Sequence, residues 1–158
     1  MKKILVNIMI LGVAAGSFLL AQGNPFVGTW KLNVAKSKYS PGPAPKSTTR
    51  TVEAQGSGEK VTNEGTAADG SHISYSYTLT YDGKDSPVSG TGPASGFDSI
   101  NLKRIDANTT EGTTKKAGKV LTTTRAVVSK DGKVLTITAK GTNAKGQALS
   151  NVLVYDKQ

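Results

Sequence analysis

The sequence predicts an all-β protein, an antiparallel up-and-down β-barrel of about ten strands. Turn-forming pairs such as Asp69-Gly70, Asp82-Gly83 and Asp131-Gly132 recur along the chain after residue 48, and Asp-Gly tolerates the positive φ angles of tight hairpins. The segments between these pairs are rich in Thr, Val, Ile and Tyr, and none shows a sustained helical period. A sheet of so many strands would expose two edges unless it closed on itself, which favours a barrel.

The start of the chain reads as a secretory signal peptide. Two lysines precede an apolar run from Ile4 to Leu20, and Ala21-Gln22-Gly23 offers small residues at a cleavage site. We therefore expect residues 1–23 to be removed after Gly23 and residues 24–158 to form a single barrel domain, periplasmic or secreted. The alternative is an uncleaved anchor, although the apolar run is marginal for a bilayer span.

Ten strands are expected in the mature chain, and their spacing of roughly 10–14 residues is typical of a barrel or sandwich built from hairpins. They are centred on residues 27–33, 48–55, 59–66, 72–81, 86–90, 98–105, 109–115, 119–129, 133–141 and 147–156. The segment from Ala35 to Lys46 departs from this pattern. Its prolines, Pro41, Pro43 and Pro45, exclude a helix or a central strand, so we expect a stiff loop across one end of the barrel.

The stretch ISYSYTLTY shows the clearest alternation of side chains. Its odd-numbered residues carry the large groups and its even-numbered residues are Ser or Thr, so the large groups are expected to face the interior; they are Ile73, Tyr75, Tyr77, Leu79 and Tyr81. This stripe is either plain core packing or the wall of a cavity in which Tyr75 and Tyr77 contact a ligand. With three Phe and one Trp in the chain, the interior is expected to be partly polar.

Three arginines lie within the predicted strands. The planar guanidinium suits capture of a carboxylate, and burial strengthens that preference. Arg125 is the first candidate for an internal anion anchor, and Arg104, which shares a face with Ile100 and Leu102, is the second. Arg50 shares its face with Val52. The alternative is that these arginines pair with acidic residues on the outer surface.

The residue inventory argues against several classes of function. There is no cysteine and only one histidine, His72, which excludes disulfides and thiolate metal sites and leaves a His-based zinc site or Ser-His-Asp triad dependent on that residue. His72 lies opposite the tyrosine stripe and is expected to face solvent. We therefore expect no metal, no cofactor and no enzymatic activity. The formal net charge of +9 favours anionic partners such as envelope components over neutral ones, and a secreted location makes nucleic acid the least expected.

The two ends of the chain carry a family resemblance. FVGTWKLN and LVYDKQ resemble the opening and closing strands of the fatty-acid-binding-protein branch of the calycin, or lipocalin-like, barrels, which open with Phe-x-Gly-x-Trp-x-Leu and close with Arg-x-Tyr-x-Lys. The opening is matched by Phe26, Gly28, Trp30 and Leu32. The stretch from Gly28 to Ser47 also resembles the start of uncharacterised secreted bacterial lipocalin-like proteins.

This resemblance implies a ten-stranded barrel, with an eight-stranded lipocalin-like barrel as the alternative. It implies that Trp30 plugs one end against the last strand and that Tyr155 supplies the tyrosine of a carboxylate clamp. Leu153 stands where the family has the arginine of that clamp, and the Pro-rich loop replaces the family's helical lid.

The function predicted from these features is binding of a small hydrophobic or amphipathic ligand, fatty-acid-like or lipid-like, by a monomeric barrel. The predicted ligand-binding residues are Arg125, Tyr155, Tyr75, Tyr77 and Arg104. The alternative is a filled barrel that contacts envelope polyanions or another protein through its basic surface.

Overall fold

The structure is a computed structural model that describes residues 23–158. The predicted signal peptide therefore lies outside the described residues, apart from Gly23, and stays a prediction. Within the described part of the chain, no helix combines the length and the apolar character that a membrane crossing requires.

Eleven strands among residues 23–158 form one antiparallel sheet. They are β1 (Gly28–Leu32), β2 (Ser47–Gln55), β3 (Gly58–Thr66), β4 (His72–Leu79), β5 (Ser86–Pro87), β6 (Ser89–Gly90), β7 (Ser99–Asp106), β8 (Thr109–Lys116), β9 (Lys119–Val128), β10 (Val134–Thr142) and β11 (Ala148–Lys157). The order across the sheet is β5-β7-β8-β9-β10-β11-β1-β2-β3-β4-β6. Because β11 pairs with β1, the first and last long strands are joined and the sheet curls into a nearly closed barrel. The predicted all-β up-and-down barrel is confirmed.

The strand expected over residues 86–90 is the one clear departure from the prediction. It is split into β5 and β6, and these pair with different neighbours, β7 and β4 respectively. Pro87 has no N–H to donate to a ladder, and Val88 lies between the two short strands and donates its N–H to Asp98. The segment thus passes across the gap between β4 and β7 instead of pairing along one strand.

The Pro-rich segment lies at one end of the barrel, as predicted. After a 3-10 turn over Val34–Lys36, Lys38 exchanges two backbone hydrogen bonds with Val152 of β11. The chain then crosses this end of the barrel to β3, where the Lys46 N–H donates to the carbonyl of Thr66, the last residue of that strand. We call this end, where β2 begins, the loop end of the barrel.

The opposite end is filled by apolar side chains, and we call it the closed end. Its buried members are Phe26, Trp30, Leu79, Val128 and Leu135. Trp30 has no exposed surface, its Nε1 donates to the Phe26 carbonyl at 2.8 Å, and Lys157 of β11 lies 4.9 Å from the ring centroid. Trp30 therefore packs into the closed end against the last strand, which was the expectation from the family resemblance.

Gly28 is required where β1 enters the barrel. Its φ is +134°, and a Cβ at this position would lie 2.9 Å from Cε of Lys157. A residue with a side chain would be strained at this φ and would push Lys157 away from the Trp30 ring.

Candidate functional site

Arg50 lies in the interior at the middle of the barrel. Its Cα stands opposite Trp30 on β1 and Asn63 on β3, so alternation along β2 points the side chain inward, as it does that of Val52. The guanidinium Nη1 donates to the Tyr77 hydroxyl at 2.8 Å and to Oδ1 of Asn63 at 3.3 Å. Its Cζ also lies 5.7 Å from the centroid of the Tyr77 ring.

The positive charge of Arg50 has no counter-ion within the barrel. The ion pairs formed among residues 23–158 do not include it. Burial acts to lower the pKa of Arg50, but the neighbouring Tyr77 and Tyr155 raise it by more than burial lowers it. The net pKa is therefore raised, and the guanidinium stays charged. Its Nε and the Nδ2 of Asn63 are both buried without a hydrogen-bond partner. Two donors and one unneutralised cation thus face the same interior space, a combination that suits a carboxylate.

Tyrosine side chains surround this cation. Tyr75 and Tyr77 are stacked with centroids 6.4 Å apart and an interplanar angle of 24°. Burial raises the pKa of Tyr75 above its usual value and that of Tyr155 to about 12. These phenols therefore stay neutral and can donate hydrogen bonds at neutral pH. We call Arg50, Asn63, Tyr75, Tyr77 and Tyr155 the Arg50 cluster.

The Pro-rich segment adds a fourth tyrosine to the same space. The Tyr39 ring packs against the core, and its hydroxyl is buried without a partner. Burial and then the proximity of Tyr155 raise its pKa above the usual value. The loop end is therefore covered by an aromatic side chain that carries one unused hydroxyl.

The structure brings three of the predicted ligand-binding residues together. Tyr75 and Tyr77 face the interior from β4, and Tyr155 faces it from β11, opposite Leu32 and Leu135. All three lie beside Arg50 in the Arg50 cluster. Their contact with a ligand stays a prediction, but their expected inward orientation is correct.

The expected interior position of Arg125 is wrong. On β9 the even-numbered side chains face inward, Ala126 and Val128 among them, so Arg125 lies on the outer surface. Its side chain is 50% exposed and forms an ion pair with Glu111, its cross-strand neighbour on β8. Arg125 is therefore excluded as an internal anchor, because the apolar residues next to it determine which face of β9 is inside.

Arg104 faces inward but lies at the closed end, away from the Arg50 cluster. Its Nη2 is 3.1 Å from Oε1 of the buried Glu59, and its Cζ lies 4.2 Å and 5.1 Å from the ring centroids of Tyr81 and Phe26. Glu59 also accepts hydrogen bonds from Asn24 and Tyr81. The charge of Arg104 is thus neutralised by Glu59, and the group holds the closed end together.

Sequence reasoning placed Arg50 on the face of Val52 but did not choose it as a binding residue, and it missed Asn63 and Tyr39. The available signal for Arg50 was the alternation Thr-x-Arg-x-Val in β2, which places it on the face of Val52, a buried residue. Nothing comparable marked Asn63, which is 1% exposed, because its strand is mostly polar. Tyr39 lay in a segment expected only to be a loop.

His72 is exposed at the start of β4, as expected. No group of three or more metal-binding side chains occurs among residues 23–158.

Two grooves lie on the outer surface of the barrel. One of about 630 Å³ runs over β7 to β10 and is lined by Lys103, Lys140, Arg125 and Glu111 among others. The second, of about 200 Å³, lies over β2 and β3. Because Glu111 neutralises Arg125 in the larger groove, the Arg50 cluster is the better candidate for recognition of a single small anion.

A comparison with solved structures supports the architecture. The chain is similar to zebrafish ileal bile acid-binding protein in its crystal structure complexed with cholic acid. The match has a TM-score of 0.51 and 14% sequence identity, and it covers 85% of this chain and 99% of the other. At this identity the similarity shows the fold alone, and it confirms the up-and-down barrel fold expected from the end motifs. No family model and no curated protein matches the sequence.

Proposed function

We propose that this protein binds a small amphipathic anion inside its barrel, with the anionic head on Arg50 and the body of the ligand toward the loop end. The observation that carries the proposal is the interior cation without a counter-ion, next to two unpartnered donors. Leaving a charge unpaired inside a protein costs free energy. A ligand carboxylate would offset that cost by accepting from Arg50 and Asn63.

The architecture agrees with this proposal. Barrels of this size hold one small ligand among inward-facing side chains, and the fold neighbour was crystallised with cholic acid, an amphipathic carboxylate. Inward-facing residues on the strands across the barrel are only half-buried, unlike those at the closed end; they include Thr124, Ile137, Asn151 and Leu153. We further propose that the protein acts as a periplasmic or secreted monomeric carrier and not as an enzyme.

The test is binding of an anionic fluorescent probe, 8-anilinonaphthalene-1-sulfonate, to the purified chain 24–158. Arg50→Gln is expected to weaken binding about tenfold to a hundredfold, because a hydrogen bond to a charged group contributes ~1.5–3 kcal/mol. Arg125→Gln is the matched control, since it removes the same charge from the outer surface. Equal affinities in the parent and both variants would contradict an interior anion site.

The larger outer groove supports a second candidate function. Its rim carries Lys103 and Lys140, so a polyanion of the cell envelope could bind there through salt-sensitive contacts. In that case, binding to heparin-agarose would weaken steeply with salt and would fall in Lys103→Gln but not in Arg50→Gln. Retention that is indifferent to salt and to Lys103 would exclude this function.

A further inference from the structure

The position of Arg50 along β2 limits how deeply a ligand can enter the barrel. Arg50 is three residues from Ser47, where β2 begins, so at ~3.3 Å per residue its Cα lies roughly 10 Å along β2 from the loop end. Toward the closed end, the next inward side chains are tightly packed, because Val52 and Val61 are 3% and 1% exposed and the fully buried Trp30 stands opposite Arg50 on β1. A ligand bound to Arg50 would therefore lie on the loop-end side of this residue.

One wall of this space is aromatic. Tyr75 is stacked on Tyr77 and meets the edge of Phe97, with centroids 6.3 Å apart and an interplanar angle of 85°. Aromatic faces favour offset or edge-on contacts with another ring. Tyr39 lies near the same group at the loop end. These side chains are better suited to a planar ring than to a flexible alkyl chain.

The inward face of β8 and β9 is polar toward the loop end. The hydroxyls of Thr114 and Thr122 are buried and bonded to each other at 2.6 Å. Further toward the middle of the barrel, the Thr124 hydroxyl is buried without a partner. An alkyl tail against this wall would leave Thr124 unsatisfied, whereas a hydroxyl or carbonyl on the ligand would satisfy it.

We infer that the ligand is a compact aromatic carboxylate with an oxygen substituent on the ring, such as a hydroxylated aromatic acid. Its carboxylate would accept hydrogen bonds from Arg50 and Asn63, its ring would pack on Tyr75, and its ring oxygen would bond to Thr124 or Tyr39. The inference rests on the proposed function, because it names the ligand class of that same site.

The experiment compares two probes, 4-hydroxycinnamate and dodecanoate, by isothermal titration calorimetry with the chain 24–158. We expect 4-hydroxycinnamate to bind at least about tenfold more tightly. Tyr75→Leu keeps an apolar side chain but removes the ring. It should weaken binding of 4-hydroxycinnamate about twofold to tenfold, in line with the strength of aromatic pairs, and weaken dodecanoate binding clearly less, because an alkyl chain makes no ring–ring contact with Tyr75.

The outcomes separate this inference from the proposed function. Tighter binding of dodecanoate, lost in Arg50→Gln and kept in Arg125→Gln, would overturn the aromatic ligand class while retaining the interior anion site. Equal effects of Tyr75→Leu on both probes would also overturn it, because the ring would then serve only the fold. Failure of both probes and of the sulfonate probe above would overturn the inference and the proposed function together.

Discussion

The two interior arginines stand in opposite environments. Arg104 at the closed end is paired with Glu59 and lies over two aromatic rings, so both its charge and its donors are used within the fold. Arg50 at the middle of the barrel has a tyrosine hydroxyl and an amide oxygen as partners and no carboxylate. Arg104 thus stabilises the closed end, whereas Arg50 remains available to an anion that enters from solution. The difference lies in whether the chain supplies the counter-charge.

The closed end is therefore expected to carry stability, and the Arg50 cluster is expected to carry binding. The following three changes test that division.

Trp30→Ala should have the largest effect on stability. Truncation of a fully buried tryptophan removes apolar contacts and leaves a cavity, with a loss of about 3–5 kcal/mol in the free energy of unfolding. Because Trp30 is the only tryptophan, unfolding should be followed by far-ultraviolet circular dichroism. Tyr75→Ala is the comparison within the Arg50 cluster and should cost less, since Tyr75 is only partly buried. A larger loss of unfolding free energy in Tyr75→Ala than in Trp30→Ala would contradict the assignment of stability to the closed end.

Alkaline pH should destabilise the Arg50 cluster next most strongly. The pKa of Tyr155 is about 12 in the folded protein and about 10 when unfolded. The raised pKa means that the folded state holds the proton more tightly, so this stabilisation is complete below pH ~10 and is lost as the pH rises through ~12. The loss amounts to roughly 2–3 kcal/mol.

Urea unfolding at a series of pH values from neutral to strongly alkaline measures this loss. Tyr155→Phe cannot ionise at this position, so its stability should fall less steeply with pH than that of the parent chain. Parallel pH profiles would show that Tyr155 titrates in the folded protein as it does in the unfolded chain.

Arg50→Met should have the smallest effect on stability of the three changes, and it should raise stability where the other two lower it. An apolar side chain of similar length removes an unpaired interior charge, so we expect a gain of about 1–2 kcal/mol in the ligand-free protein together with loss of binding. Arg125→Met on the surface should change stability by less than about 1 kcal/mol. A clear loss of stability in Arg50→Met would indicate that its bonds to Asn63 and Tyr77 serve the fold first.

Much of the fold could be predicted from local pattern because its causes are local. Alternation in β4 places Tyr75, Tyr77 and Leu79 on one face whatever the partner strands are. The division of residues 86–90 into two strands could not be predicted in this way, because it depends on β4 and β7, which lie on either side of the gap.

The site was predicted in part for the same reason. The inward tyrosines follow from alternation and from the end motif, but the choice among three arginines does not. Arg125 and Arg50 both stand in alternating strands with mixed faces. Arg125 has an acidic neighbour because β8 pairs with β9 and brings Glu111 beside it. Arg50 has none because the pairing of β2, β3 and β4 brings Asn63 and Tyr77 beside it instead.

The sequence by itself determined the all-β class and the regular alternation of strands and tight turns, because period-two alternation and Asp-Gly turns act within a few residues. Only the tertiary structure decided that Arg50 lies inside without a counter-ion while Glu111 neutralises Arg125 outside. A charge is neutralised or left unpaired by groups that are distant in the chain and become neighbours only when the barrel closes.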